Sequence, residues 1–114
     1  MAWGTEHEPF AREYYEQEFG VEVVQVGFIE ANKYLGISPD GLVGDDGGLE
    51  IKCPNASTHD KYIKENRLPT TYKPQVQGSL WITDRRWWDF VSYNPKHEQK
   101  FWCKRIFRLS LIHI

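Results

Sequence analysis

Apolar and polar positions recur at helical spacing near the start of this chain and again around residues 70–83. Between those regions they alternate in short runs. At the start, Thr5 can cap a helix, Glu6 and Glu8 suit its positive end, and Pro9 is tolerated in a first turn. Phe10, Tyr14 and the Gln17/Phe19 pair give an approximate apolar stripe, and Gly20 is a stop signal. A helix over about 5–19 is expected. Val21 to Glu30 is β-branched and partly alternating, hence a strand. Ala31-Asn32-Lys33 reads as a turn and Tyr34–Ile37 as a second strand. Ser38-Pro39 interrupts its pairing, because proline has no N–H to give a ladder. Short strands over Asp40–Val43 and Gly48–Lys52 follow, joined by Gly44-Asp45-Asp46-Gly47, whose Asp-Gly step is a strong hairpin signal. Residues 21–52 therefore read as an antiparallel meander.

Cys53-Pro54 ends that meander. Asn55 or Ser57 can cap a polar helix running to about Asn66, and Leu68-Pro69-Thr70 breaks it. Thr70 or Thr71 then caps a second helix to about Thr83, with Tyr72, Val76 and Leu80 at four-residue spacing. A strand over Trp87–Tyr93, a turn at Asn94-Pro95-Lys96 and a strand over about Lys100–Phe107 complete the chain. Trp87, Trp88, Phe90, Phe101 and Trp102 are read first as filling between sheet and helices. Base stacking beside Lys and Arg is the second reading. The element order predicts an α+β, mixed α/β fold with helices packed on a sheet.

One spacing carries chemistry. Asp40 lies behind Ser-Pro, and Glu50-Ile51-Lys52 follows as D-x₉-E-x-K. In a strand, Glu50 and Lys52 project from one face while Ile51 points into a core. The hairpin folds Asp40 back beside them. Two carboxylates offer hard oxygen ligands to Mg²⁺, and a lysine beside them can orient water or steady charge on a phosphate. Taken alone, so short a pattern of common residues fits a surface hairpin with a solvated Glu–Lys pair better. Gln75 and Gln77, beside an apolar helical stripe, need polar partners or a place on the rim.

The 114 residues are one domain's worth of chain, with an ordinary balance of apolar and charged residues. No apolar run is long enough to span a membrane, and no signal peptide is visible. Two cysteines, Cys53 and Cys103, do not make a disulfide framework, and no Cys/His spacing matches a zinc site. The four scattered histidines read as solvated. Net charge is only −2, but its distribution is uneven: residues 1–50 sum to −9 and residues 85–108 to +5. Such sorting suits an acidic metal site beside a basic phosphate-facing half, and ordinary surface variation accounts for it equally well.

The strings SPDGL, GLEIKCP, QVQGSLWIT, WGTEHE and WWDFVSYNPK together closely resemble the lambda-type phage exonucleases. Those belong to the YqaJ viral recombinase family, within the PD-(D/E)XK nuclease superfamily. The resemblance runs from about Trp3 to about Arg105. It implies a restriction-endonuclease-like core, a small central mixed sheet flanked by helices, over residues 1–108, with 109–114 as a non-family tail. It implies a Mg²⁺-dependent DNA exonuclease, with Mn²⁺ as a substitute and two ions in the site, digesting duplex ends 5′→3′ to leave 3′ overhangs. Asp40, Glu50 and the carbonyl of Ile51 would bind metal, and Glu8 would complete the second metal sphere. Lys52 would act on water, and Gln75 would support the site. Ser38 would contact phosphate. Gln77 and Tyr72 match family positions less firmly, and Tyr72 reads better as a core aromatic.

The same resemblance implies double-stranded DNA ends as substrate, a single-strand annealing protein as partner, and a homo-oligomer, trimeric in relatives. It implies a phage-encoded protein in a bacterial cytoplasm. Family members carry an N-terminal phosphate-binding segment and C-terminal helices that this sequence does not show. The expectation is therefore a catalytic core without part of its DNA grip. A structure-selective endonuclease of the same superfamily and a truncated, non-catalytic DNA-binding module are the competing readings.

Overall fold

The turn Gly44-Asp45-Asp46 sets the geometry of the sheet. Gly44 holds φ at +57°, a value glycine adopts without strain. It joins strand β4 (Gly41–Val43) to β5 (Gly47–Lys52) in an antiparallel hairpin with Gly41 opposite Leu49. These elements come from a computed structural model that describes residues 2–27, 29–32, 35–37, 39–109. Ahead of the hairpin lie helix α1 (Ala2–Phe19) and strands β1 (Val23–Val24), β2 (Ile29–Asn32) and β3 (Leu35–Ile37). After it come α2 (Ala56–Glu65), a 3₁₀ turn (Thr70–Tyr72), α3 (Lys73–Thr83), β6 (Trp87–Tyr93) and β7 (Phe101–Phe107).

Five strands form one sheet in the order β1-β4-β5-β6-β7. All pairs are antiparallel except β5 with β6, which run parallel. A parallel pair needs a crossover, and α2, the 3₁₀ turn and α3 supply it. Every residue of β5 except Lys52 is buried, as expected for a strand with neighbours on both sides and helices on both faces. Leu49 and Ile51 face a core with Ala11 and Tyr15 of α1, Val91 and Tyr93. On the other face Trp88, Phe90 and Trp102 pack with Leu68, Val76 and Leu80. The register places Gly47 beside Trp87 and Gly48 beside Trp88. A Cβ on either glycine would fall within about 2.1 Å of the indole carbons, so the rings occupy space that only glycine leaves open.

Several expectations need correction. The strand expected over Val21–Glu30 is two strands in different sheets: β1 pairs with β4, while β2 pairs with β3. The meander therefore splits. The α1 helix begins before Thr5, so Thr5 is not its cap and Pro9 lies inside the helix. Among its described side chains Ala11 and Tyr15 are buried, whereas Phe10, Tyr14 and Phe19 are substantially exposed. Tyr14 stacks on Phe101 at 4.7 Å between ring centroids, which is why that stripe is only half covered. Asn55, not Ser57, caps α2 by accepting from the Thr58 N–H at 2.9 Å. Thr70 and Thr71 belong to the 3₁₀ turn, and α3 opens with Pro74 in its first turn instead of with a threonine cap. His59 is fully buried, not solvated. Its Nε2 lies 2.6 Å from the Gln99 carbonyl and its Nδ1 2.7 Å from Ser92 Oγ. A carbonyl can only accept, so Nε2 carries the proton and Nδ1 accepts from the serine.

Candidate functional site

β4 stops at Gly41, two residues short of Ile51 along the ladder. The Ile51 N–H therefore lies beyond the last backbone pairing. Asp40 takes it over: Oδ2 accepts from that N–H at 2.6 Å. The break at Pro39 is what makes this possible, by ending the strand one residue before a side chain that can stand in for a backbone carbonyl. Alternation along β5 then sends Glu50 and Lys52 to the α3 side of the sheet, with Lys52 Nζ 3.3 Å from Glu50 Oε1. Gln75, in the first turns of α3, donates from Nε2 to the same oxygen at 3.2 Å. Glu8 of α1, which accepts from Arg12 at 3.5 Å, lies close enough for its charge to act on both Asp40 and Glu50.

The electrostatics follow from this crowding. Burial, then the neighbouring Glu50 charge, pushes the Asp40 carboxyl above its usual range, although the Ile51 N–H pulls the other way. Burial also raises Glu50, while Lys52 and Gln75 favour its charged form. Cys53 follows Lys52, and its thiol is pushed up to about 11 by burial and by the Glu8 and Asp40 charges. That makes it a protonated neighbour and not a nucleophile. The Lys52 ammonium lies 4.8 Å from the centroid of the Tyr72 ring. Tyr72 in turn packs on Phe90 at 5.2 Å, as Tyr62 does at 5.9 Å.

Of the residues singled out in the sequence, Asp40, Glu50, Lys52, Glu8 and Gln75 come together at one point. Ile51 joins them through its N–H. Tyr72 borders the cluster through Lys52 and is also the core aromatic its alternative reading required. Gln77 lies elsewhere. It donates to the Phe107 carbonyl at 3.0 Å and accepts from the Leu109 N–H at 3.0 Å. Its amide thus bridges the end of edge strand β7 as a peptide group would. Ser38 lies outside the described residues. Sequence reasoning missed Cys53 and Tyr62. Adjacency to Lys52 could have drawn attention to Cys53, whereas nothing local marks Tyr62.

Among the described residues no three His, Cys, Asp or Glu side chains stand as a ready-made metal cage. The carboxylates are engaged by one another, by the Ile51 N–H, by Lys52 and by Gln75. As a donor set they are hard oxygens, packed closely enough for burial and mutual repulsion to resist ionisation.

The fold is shared with known proteins. A crystal structure of an alkaline exonuclease from Laribacter hongkongensis superposes with a TM-score of 0.91 at 43% identity, over 96% of this chain and 59% of that one. A complex of the same exonuclease with dAMP gives 0.89 at 44% identity, over 93% and 56%. A phage-related exonuclease from Haemophilus somnus 129PT gives 0.72 at 17% identity, over 94% and 60%, which shows the shared fold. The chain thus spans a little over half the length of these proteins. No curated protein gives a significant match. The profile of the YqaJ-like viral recombinase domain matches residues 1–86, which include every residue of the acid cluster, and the chain belongs to that family.

Proposed function

We propose that this chain is a divalent-cation-dependent deoxyribonuclease that shortens one strand of duplex DNA from an end, in the 5′→3′ sense, and leaves a 3′ overhang. The observation that carries the reading is the meeting of Asp40, Glu50, Lys52, Glu8 and Gln75 at the end of the β4–β5 hairpin. Similarity to an alkaline exonuclease, one crystal form of which holds dAMP, supports phosphodiester hydrolysis as the reaction.

The donor set fits Mg²⁺. That ion is commonly held by one or two carboxylates plus phosphate oxygens and water, so an all-protein cage is not needed. Asp40 and Glu50, with the Ile51 carbonyl, would hold it, and Glu8 would serve a second ion. A bound cation would supply Lewis acidity toward a phosphate oxygen and toward the attacking water. Lys52 sits on the solvent side of Glu50, where its ammonium can donate to the attacking water or to a phosphoryl oxygen gaining charge. Tyr72 limits where that ammonium can go. Gln75 fixes Glu50 by occupying one of its oxygens. The overhang is a substrate class for a strand-annealing partner, and a ring-like homo-oligomer and a bacterial cytoplasmic setting belong to the same reading. Among the described residues no helix is long and apolar enough to cross a membrane.

The test is nucleotide release from linear duplex DNA bearing a 5′-phosphate, with Mg²⁺ and with EDTA. Lys52→Ala and Asp40→Asn are run alongside, with covalently closed circles as a second substrate. Mg²⁺-dependent release from linear DNA alone, lost in both variants, is the expected result. Cleavage of closed circles would replace the exonuclease by an endonuclease. Undiminished release by Asp40→Asn in a clean preparation would remove Asp40 from the chemistry.

A further inference from the structure

Three ion pairs at i, i+4 spacing stand on the helices among the described residues, and one of them differs in kind. On α2, Lys61 and Lys64 pair with Glu65 and Asp60 through lysine side chains that are 71% and 76% exposed, as solvated pairs do. On α1, Arg12 pairs with Glu8 at 3.5 Å through a side chain only 15% exposed. Its Nε is buried with no hydrogen-bond partner among the described residues. An ordinary surface arginine would swing out to water and satisfy that donor; this one stays in and leaves it unmade. Gln25 holds it there. With its amide oxygen toward the guanidinium, the orientation that satisfies both groups, Gln25 accepts from Nη2 at 2.8 Å and from Nη1 at 3.3 Å. Gln25 directly follows β1, which pairs Val23 with Val43 and Val24 with Leu42. The next residue of β4 is Gly41, where a Cβ would lie 3.6 Å from the Val24 carbonyl. Asp40 comes immediately before Gly41. Arg12 therefore ties the helix that carries Glu8 to the sheet margin that carries Asp40.

From this arrangement we infer that Arg12, fixed by Gln25, is a positioning residue that orients Glu8 toward the acid cluster. Glu8 needs such a tie. Its side chain is about one-third exposed, and Pro9 gives no N–H to the helix around it. The guanidinium engages Oε1, which leaves Oε2 for a cation. A planar fork held by two bonds to Gln25 fixes the direction of the donor it offers to Glu8, which the rotatable ammonium of a lysine would not. Arg12 also sets a positive charge beside Glu8, as Lys52 does beside Glu50. The inference rests on the reading of the cluster as a cation site, given above.

Mn²⁺ is the probe, and its binding to the whole chain without DNA is followed by the loss of the free-ion electron paramagnetic resonance signal. Glu8→Gln removes the carboxylate. Arg12→Lys keeps the charge but loses the fork, and Gln25→Ala removes the acceptor that fixes it. Each of these last two is expected to weaken the Glu8-dependent ion about ten- to a hundredfold, the usual cost of losing a partner that orients a ligand. In the Glu8→Gln background neither is expected to have a further effect, because both act through Glu8. Circular dichroism and a thermal melt establish that each variant is folded. Gln25 is exposed, so Gln25→Ala decides the matter where Arg12→Lys does not fold. Unchanged Mn²⁺ binding in the folded variants would overturn the inference and leave the cation site standing. So would an equally large loss with Glu8→Gln already present, which would give Arg12 a role independent of Glu8. A natural chain that binds no Mn²⁺ and releases no nucleotide from linear duplex DNA would instead overturn the reading of the cluster, and this inference with it.

Discussion

Asp89 and Arg105 stand opposite each other across the β6–β7 ladder, with the guanidinium donating to both carboxylate oxygens at 2.9 Å. Tyr15 of α1 donates to the same carboxylate at 2.5 Å, and the guanidinium lies over Trp87, 3.6 Å from its ring centroid. Asp89 is 1% exposed, so its charge depends on these partners. Breaking a buried pair from one side costs about 3–5 kcal/mol. The Arg105 side chain is 42% exposed, and Tyr15 still donates without it. Arg105→Ala should therefore cost near or below the bottom of that range. Denaturant unfolding of the two proteins measures the difference, and a loss under about 0.5 kcal/mol would mean that Tyr15 alone satisfies the aspartate.

Stability should fall in mild acid because of His59. Burial holds its folded-state value below the ordinary 6.5, so the native protein favours the neutral ring. The unfolded chain then binds the extra proton first. The contribution of His59 is complete above about 6.5 and is lost as pH falls from there toward the lowered folded value. His97, 4.8 Å away ring to ring, disfavours a second charge, while Asp60 opposes that effect. Urea midpoints at about pH 7.5 and about pH 5.5 should differ for the natural chain and differ less for His59→Gln. Equal pH dependence in both would mean that other groups set it.

Gly48→Ala tests the fit of Trp88 against the sheet. The added Cβ would meet the indole at about 2.1 Å in a fully buried setting, so ring or strand must shift. Overpacking of this kind costs about 1–3 kcal/mol. Because Glu50 lies two residues on, nuclease activity should fall too. Thermal melts and near-ultraviolet circular dichroism would report the displaced tryptophan, and an unshifted melt would show that the core yields locally.

Gln75→Ala should lower turnover on duplex DNA by about ten- to a hundredfold, the usual scale for a residue that orients a ligand without being one. Its fold cost should be small, because Gln75 is exposed apart from its bond to Glu50. Steady-state kinetics on linear duplex DNA decide it. A change confined to KM would mean that Gln75 contacts DNA instead of fixing Glu50.

The acid cluster was legible because its signals are local. D-x₉-E-x-K spans one hairpin, an Asp-Gly turn marks the fold-back, and alternation assigns the faces. Glu8 and Gln75 come from other elements, and only resemblance to a family pointed to them. Gln77 shows the limit of that approach. It stands two residues from Gln75, and on a helix two residues are nearly opposite, so only one of the pair could face the acids. The misread face of α1 has a similar cause. Phe10, Tyr14 and Phe19 look like a buried stripe, but Tyr15 has the Asp89 carboxylate to bond across the sheet and takes the inner position. His59 was read as solvated because its partners, Ser92 and Gln99, are more than thirty residues away.

The parallel pairing of β5 with β6 has a consequence for how the molecule forms. Every residue of the acid cluster precedes Asp84, yet the strand that shields Leu49 and Ile51 on their second side begins only at Trp87. A nascent chain that has emerged up to Asp84 already carries all the acids, the lysine and the glutamine, but its central strand has an open edge. Closing that edge requires two helices to be laid down first, a long loop whose entropy is lost before any contact offsets it. The acid cluster should therefore acquire its geometry late in folding, together with the β6–β7 hairpin, so a chain that has emerged only to Asp84 would carry these residues without holding them in place.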